Sequence, residues 1–213
     1  MCKARTLSCR PSSRARKATD EKFTRLGDMT DWHIKRAAAI LHQGGIVAYP
    51  TEGVWGLGCD PNNGEAVMRL LAIKRRDWQK GLIVIAANFE QLAPYIATPP
   101  PKVLKRLRAT WPGPVTWLLP ARESTPPWLR GTHRTLAVRV TAHPPAAALC
   151  RRFGGPLVST SANLAGRPAA RSRLQVRRRF GNAVDYIVPG ATGGLMRPTE
   201  IRDGLSGAVV RAG

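Results

Sequence analysis

Ile46-Val47-Ala48-Tyr49-Pro50-Thr51-Glu52-Gly53-Val54-Trp55-Gly56-Leu57-Gly58-Cys59-Asp60 is the stretch on which the fold turns. Four apolar residues, 46 to 49, read as a buried strand that leaves through Pro50, and three glycines then fall within six residues. Such spacing marks a tight loop that can bring backbone close to a ligand, although a bulged hairpin explains it as well. Upstream, Ile34, Ala37, Ala38 and Leu41 recur at helical spacing, with Thr30 or Asp31 placed to cap the helix and Gly44-Gly45 to end it. Downstream, Val67, Leu70 and Leu71 mark a second helix ending near Lys74, and Leu82-Ile83-Val84-Ile85-Ala86 reads as a fully buried strand. Asn88 with Gln91 resembles a capping box for a further short helix.

The same alternation continues to the C-terminus. Residues 102–108 suit a helix broken by Trp111-Pro112-Gly113-Pro114, and 115–119 and 136–140 suit strands. A short strand at 157–159 runs into Thr160-Ser161-Ala162-Asn163, a helix at 172–180 follows, and strands are expected at 186–188 and 208–210. Hairpin-length gaps late in the chain beside crossover-length gaps early on predict one α/β domain with an open, twisted, mixed sheet. No internal repeat is present.

The 213 residues suit one domain with at most a tail, and 43% apolar against 22% charged content excludes wholesale disorder. Thirty-four Lys and Arg against thirteen Asp and Glu give a net charge of +21, which points to an anionic partner. No apolar run reaches the ~18–20 residues of a membrane span, and no secretory signal is visible, so a cytoplasmic protein with no membrane association is expected. Residues 1–28 carry eight basic and three acidic residues without apolar period, and read as a disordered extension ahead of a 29–213 domain. Their Arg- and Ser-rich composition suits a transit peptide, and a start at Met29 accounts for them equally well. Cys2, Cys9, Cys59 and Cys150 are scattered without CxxC spacing, so reduced thiols are expected and no metal site.

Three constellations carry polar chemistry. The first is the 49–60 loop, which matches neither GxxxxGK[ST] nor GxGxxG. The second is Lys74-Arg75-Arg76-Asp77-Trp78-Gln79-Lys80-Gly81, where cations cluster between a helix end and a buried strand. It suits a polyphosphate, but cations at a helix C-terminus are also ordinary. The third is Ser159-Thr160-Ser161-Ala162-Asn163, whose hydroxyls, amide and turn N–H groups suit an anion, or a plain Ser/Asx turn. His33, His42, His133 and His143 lack HxH or HExxH spacing and no GxSxG elbow occurs, so zinc-enzyme and hydrolase-triad readings lose support.

In order along the chain, YPTEGVWGLGCDP, KRRDWQKGLIVIA, WPGPVTWLLPA, LAVRV, VSTSANLAGRP and PTEIRDGLSGAVVRAG resemble the threonylcarbamoyl-AMP synthase family of the YrdC/TsaC type, over residues 30–213. The resemblance implies a YrdC-like open twisted α/β sheet with a deep, positively charged cleft. It also implies a nucleotidyltransferase that converts ATP, L-threonine and bicarbonate into threonylcarbamoyl-adenylate and pyrophosphate, with Mg²⁺ on the polyphosphate. Partner proteins would then transfer the activated group to an adenosine of tRNA. By motif, Lys74, Arg76, Ser161 and Asn163 take the catalytic, phosphate-positioning roles, Thr51 and Arg139 hold L-threonine, and Lys80 and Thr116 join the nucleotide-binding set. A carbamate is already an anion, so positioning and charge neutralisation dominate such a reaction and no general base is required.

Gly53, Arg75, Asp77, Lys80-Gly81 and Ile85 depart from the longer members of that family and agree with its short bacterial branch. A second reading, a non-enzymatic RNA- or tRNA-binding domain, rests on eight arginines without an acid between Arg151 and Phe180. It lacks the aromatic motifs of single-strand recognition, with only 6% aromatic residues. A third, the carbamoyl-transfer module of hydrogenase-maturation relatives, lacks the further motifs of those longer chains.

Overall fold

A computed structural model describes residues 31–195 and 198–212. The expectations for residues 1–28, the Thr30 cap, Cys2 and Cys9 lie outside them. Helix α1 spans 31–42, and its Ile34, Ala37, Ala38 and Leu41 are buried against the sheet while Gly44, at φ 76°, turns the chain out of it. Strand β1 (Val47–Pro50) follows, then β2 (Trp55–Gly58), α2 (Gly64–Lys74), a 3₁₀ turn (Trp78–Lys80) and β3 (Ile83–Ala86). Next come α3 (Pro101–Thr110), β4 (Val115–Pro120), α4 (Pro127–Arg130), β5 (Thr135–Val140), α5 (Pro144–Phe153) and β6 (Leu157–Ser161). The chain closes with α6 (Arg173–Phe180), β7 (Tyr186–Ile187), β8 (Glu200–Asp203) and β9 (Val209–Arg211).

These strands form one mixed sheet in the order β7-β1-β2-β6-β3-β5-β4-β8-β9. The pairs β1/β7, β3/β5 and β4/β8 are parallel and the remaining neighbours antiparallel. Period-two alternation divides the core between its faces. Val47, Tyr49 and Ile85 join α1 and α5 on one face, whereas Ile46, Ala48, Val84 and Ala86 join residues of α2, α3 and α6 on the other. Each fully buried Leu, Ile or Val contributes ~1.5–3 kcal/mol of transfer free energy, so the alternation strongly specifies register.

Several expectations need correction. The glycine-punctuated loop is largely a hairpin: β2 pairs antiparallel with β1 across the turn 51–54. Its glycines make room for an aromatic ring as well as for the cleft, since a Cβ at Gly58 would meet Tyr49 Oη and Cε1 at 2.8 Å and Val158 O at 2.4 Å. Asn88 Oδ1 does accept from Gln91 N (3.1 Å), and Gln91 Oε1 from Ala87 N (2.9 Å), but the segment stays a series of turns without a helix. Helix α5 was not anticipated; Pro144 and Pro145 occupy its first turn, where no N–H is required. The polar strand β8, between β4 and the edge strand β9, also escaped the patterning, its four residues all half-buried.

The basic stretch 151–179 does not form a single patch. Arg151 and Arg152 end α5 on one face of the sheet, whereas Arg173, Arg177, Arg178 and Arg179 belong to α6 on the other. Cys59 and Cys150 are buried free thiols, and burial pushes both up to about 12.

Candidate active-site cleft

The turn 51–54, the segment after α2, β5, the end of β6, the residues entering β8 and β9 converge on a cleft of about 140 Å³. Thr51, Arg76, Arg139 and Ser161, all expected site residues, stand on its wall with Thr199 and Arg211. No carboxylate lines it among the described residues.

Arg76 reaches the wall because α2 stops abruptly. Arg75 adopts the left-handed conformation (φ 51°), its N–H and that of Arg76 bonding the last turn's carbonyls, and Asp77 then caps the 3₁₀ turn through Gln79 N (2.9 Å). Arg76 Nη2 donates to Gly81 O (2.9 Å), which leaves its buried Nε without a protein partner. Burial pulls the Arg76 guanidinium below its usual range.

Lys74, the last residue of α2, is buried and does not line the cleft. Its ammonium donates to Ser161 O, Asn163 O (2.8 Å) and Asn163 Oδ1 (3.2 Å), so all three protons serve the turn after β6. Ser161 Oγ donates to the same Asn163 Oδ1 (2.6 Å), and Asn163 Nδ2 bonds Leu164 O and Arg167 O (3.0 and 2.8 Å). Burial, and secondarily the charge of Arg76, bring the Lys74 ammonium down to about 8. Lys74, Ser161 and Asn163 thus meet in one turn, and Ser161 shares the cleft wall with Arg76.

Arg139 sits on β5 and is buried. Its Nη1 donates to Thr199 Oγ1 (2.6 Å) and Thr116 Oγ1 (3.4 Å), and its Nη2 lies 3.3 Å from Glu52 Oε2. Its Nε finds no protein partner. Thr51, expected beside the amino acid, donates its hydroxyl to Val54 O (2.7 Å), closing the turn that forms the cleft floor. Thr116, expected near the nucleotide, is at 0% exposure and lies behind Arg139, whose Nη1 donates to it. Lys80 lines a second cavity of about 260 Å³, which shares Arg76, Leu82, Ile83 and Arg211 with the first.

Glu52, Thr199, Thr141 and Arg211 were given no role from sequence. Arg211 follows two valines in an edge strand of a chain with thirty-four basic residues, so nothing local distinguishes it. Burial, then Arg139 and Arg76, pull its guanidinium below the usual range, as expected where three cations line one cleft wall that carries no carboxylate.

The family model described as Telomere recombination, of the Sua5/YciO/YrdC type, matches residues 39–213. The chain belongs to the Sua5/YciO/YrdC family. It is 58% identical over 181 residues to the threonylcarbamoyl-AMP synthase of Nitrosococcus oceani, covering 85% of this chain and 98% of that one. It is 54% identical over 175 residues to the enzyme of the same name from Pseudomonas aeruginosa, covering 82% and 94%. Among solved structures, P. abyssi Sua5 complexed with L-threonine superposes with TM-score 0.77 at 33% identity over 81% of this chain, which spans about half (51%) of the length of that protein. E. coli YciO gives TM-score 0.76 at 26% identity, covering 85% and 89%.

Proposed function

We infer that this chain is a threonylcarbamoyl-AMP synthase: it joins L-threonine, bicarbonate and ATP into L-threonylcarbamoyl-adenylate with release of pyrophosphate. One observation carries the reading. Arg76, Arg139 and Arg211 stand on the wall of a single cleft that no carboxylate lines among the described residues. Three guanidinium groups gathered on one wall without an acid among them suit an oxyanion ligand. Relatives that share more than half of their residues with this chain bear the corresponding name.

In this reading the carbamate oxygen of carboxylated threonine attacks the α-phosphorus of ATP, the bond to the bridging oxygen breaks, and pyrophosphate leaves with its electron pair. Arg139 holds the threonine carboxylate with the turn at Thr51, while Arg76 and the Lys74-braced turn of Ser161 and Asn163 hold phosphate oxygens. Lys80, on the second cavity, meets the outer phosphates, and Arg211 offsets charge between the two ligands. Among the described residues no group of His, Cys, Asp or Glu suits a metal, and the cleft wall has no carboxylate. The described residues therefore offer Mg²⁺ no cluster of ligands, and the ion would arrive on the triphosphate. Among the described residues no helix is long and apolar enough to cross a membrane, which fits an enzyme serving tRNA modification in the cytoplasm.

The expected result is pyrophosphate release from ATP that depends on both L-threonine and bicarbonate, with serine a poorer substrate by the ~1–3 kcal/mol a fitted methyl contributes. Release indifferent to threonine and bicarbonate would reject the assignment. A pure RNA-binding role is the weaker reading because the arginines of 151–179 divide between two faces. Weak tRNA attraction to α6 is compatible with the enzyme. Affinity is expected to fall steeply with salt and on charge reversal at Arg177 to Arg179, in a chain starting at Met29 as in the full one. Affinity flat across a salt titration rejects it.

A further inference from the structure

Behind the cleft wall, buried polar side chains run from the end of β5 to the entrance of β8. His143 N donates to Thr141 Oγ1 (3.2 Å), Thr141 Oγ1 donates to Glu52 Oε1 (2.6 Å), and Glu52 Oε2 faces Arg139 Nη2 at 3.3 Å. On the other side of the guanidinium, Nη1 donates to Thr199 and Thr116. Glu52 is only 7% exposed and is not on the cleft wall, so it is not placed to touch a ligand there. Its contact with Nη2 is an ion pair without hydrogen-bond alignment, since Oε2 accepts no hydrogen bond. The Arg139 guanidinium is thus hydrogen-bonded at Nη1 and ion-paired at Nη2, and its buried Nε has no protein partner.

We propose that Glu52, held by Thr141, is a positioning residue for the amino-acid carboxylate: it holds the Arg139 guanidinium in place at the cleft wall for the substrate. This rests on the synthase reading above. Three physical facts support it. A carboxylate buried in the turn 51–54 serves no surface role, and its desolvation is a cost that only its cation offsets. Thr141 occupies Oε1, which directs the remaining oxygen to Arg139. A guanidinium already hydrogen-bonded at Nη1 and ion-paired at Nη2 loses little side-chain entropy when a ligand binds, which is how preorganisation raises affinity. The same support accounts for Thr116, fully buried at the back of the clamp.

The test separates the two substrates. Pyrophosphate release by the full chain is measured with threonine and ATP varied in turn, for the parental protein, Glu52→Ala and Glu52→Gln. Threonine-dependent release by the parental chain tests the synthase reading by itself. Glu52→Ala is expected to raise the threonine KM roughly 30-fold, the equivalent of about 2 kcal/mol at 1.4 kcal/mol per tenfold, because truncating one partner of a buried charge pair costs at least that. The ATP KM should stay within about threefold, because uniform binding lost at one substrate does not weaken the other. Glu52→Gln keeps the volume and can still face Arg139 with an oxygen while Thr141 accepts from its amide, so a smaller rise confined to threonine is expected, and it decides the matter if the alanine variant does not fold. Equal rises for threonine and ATP, or a parental threonine KM in a folded variant, overturn the proposal.

Discussion

Replacing Arg76 by alanine is expected to lower turnover by ~10²–10³ while leaving the fold intact, the scale on which loss of one preorganised electrostatic contact is felt. Arg76 differs from its companions in what it has left to give. The Lys74 ammonium spends its three protons on Ser161 O, Asn163 O and Asn163 Oδ1, and Asn163 Nδ2 is committed to Leu164 O and Arg167 O. Arg76 commits Nη2 to Gly81 O and retains a buried, unpaired Nε. On the synthase reading its truncation removes a phosphate donor, and it unpairs no buried acid, because its side chain bonds the backbone carbonyl of Gly81. Lys74→Ala should also be slow, but by freeing the turn 161–163, and it should lower thermal stability where Arg76→Ala does not. The measurement is kcat beside circular dichroism and melting. A folded Arg76→Ala protein with near-parental turnover removes this residue from the reaction.

Hydrophobic period and glycine punctuation made much of the sheet legible. Strand β1, strand β3 and helix α2 fall where apolar spacing and the Gly44-Gly45 stop put them, because burial on one face leaves a local signature. What escaped has no such signature. β2 has glycine at two of its four positions because Tyr49 lies over them, and β8 is a half-buried polar strand recognised by its parallel register with β4, not by its own residues. The site divides in the same way. Lys74, Arg76, Ser161 and Asn163 lie in two short motifs whose resemblance to known chains brought them together. Glu52 and Arg139, by contrast, meet only through the turn 51–54 and the packing of β5, and sequence distance hides the pair. Thr116 shows the limit of motif transfer: the residue is near the site, yet it stands behind a guanidinium rather than in the cleft.

Arg139→Met is expected to have the second large effect, on stability and on activity together. The substitution fills much of the volume but leaves Glu52 buried with a charge that no cation offsets, and Thr141 alone cannot compensate it. Breaking a buried pair from one side costs ~3–5 kcal/mol, a large part of the stability of a domain this size. The urea midpoint should therefore fall sharply, and threonine-dependent pyrophosphate release should drop by ~10² or more because the carboxylate loses its guanidinium. Adding Glu52→Gln separates the two losses. With no buried anion left, most of the stability should return, since replacing both members of a buried pair by uncharged groups of similar shape is often near neutral. Activity should not return, because the donor to the substrate is still missing. A double variant as unstable as Arg139→Met would mean that the lost stability came from packing around β5 rather than from an unpaired Glu52. Recovery of threonine-dependent turnover in that double variant would place the substrate carboxylate elsewhere in the cleft, against Arg76 or Arg211.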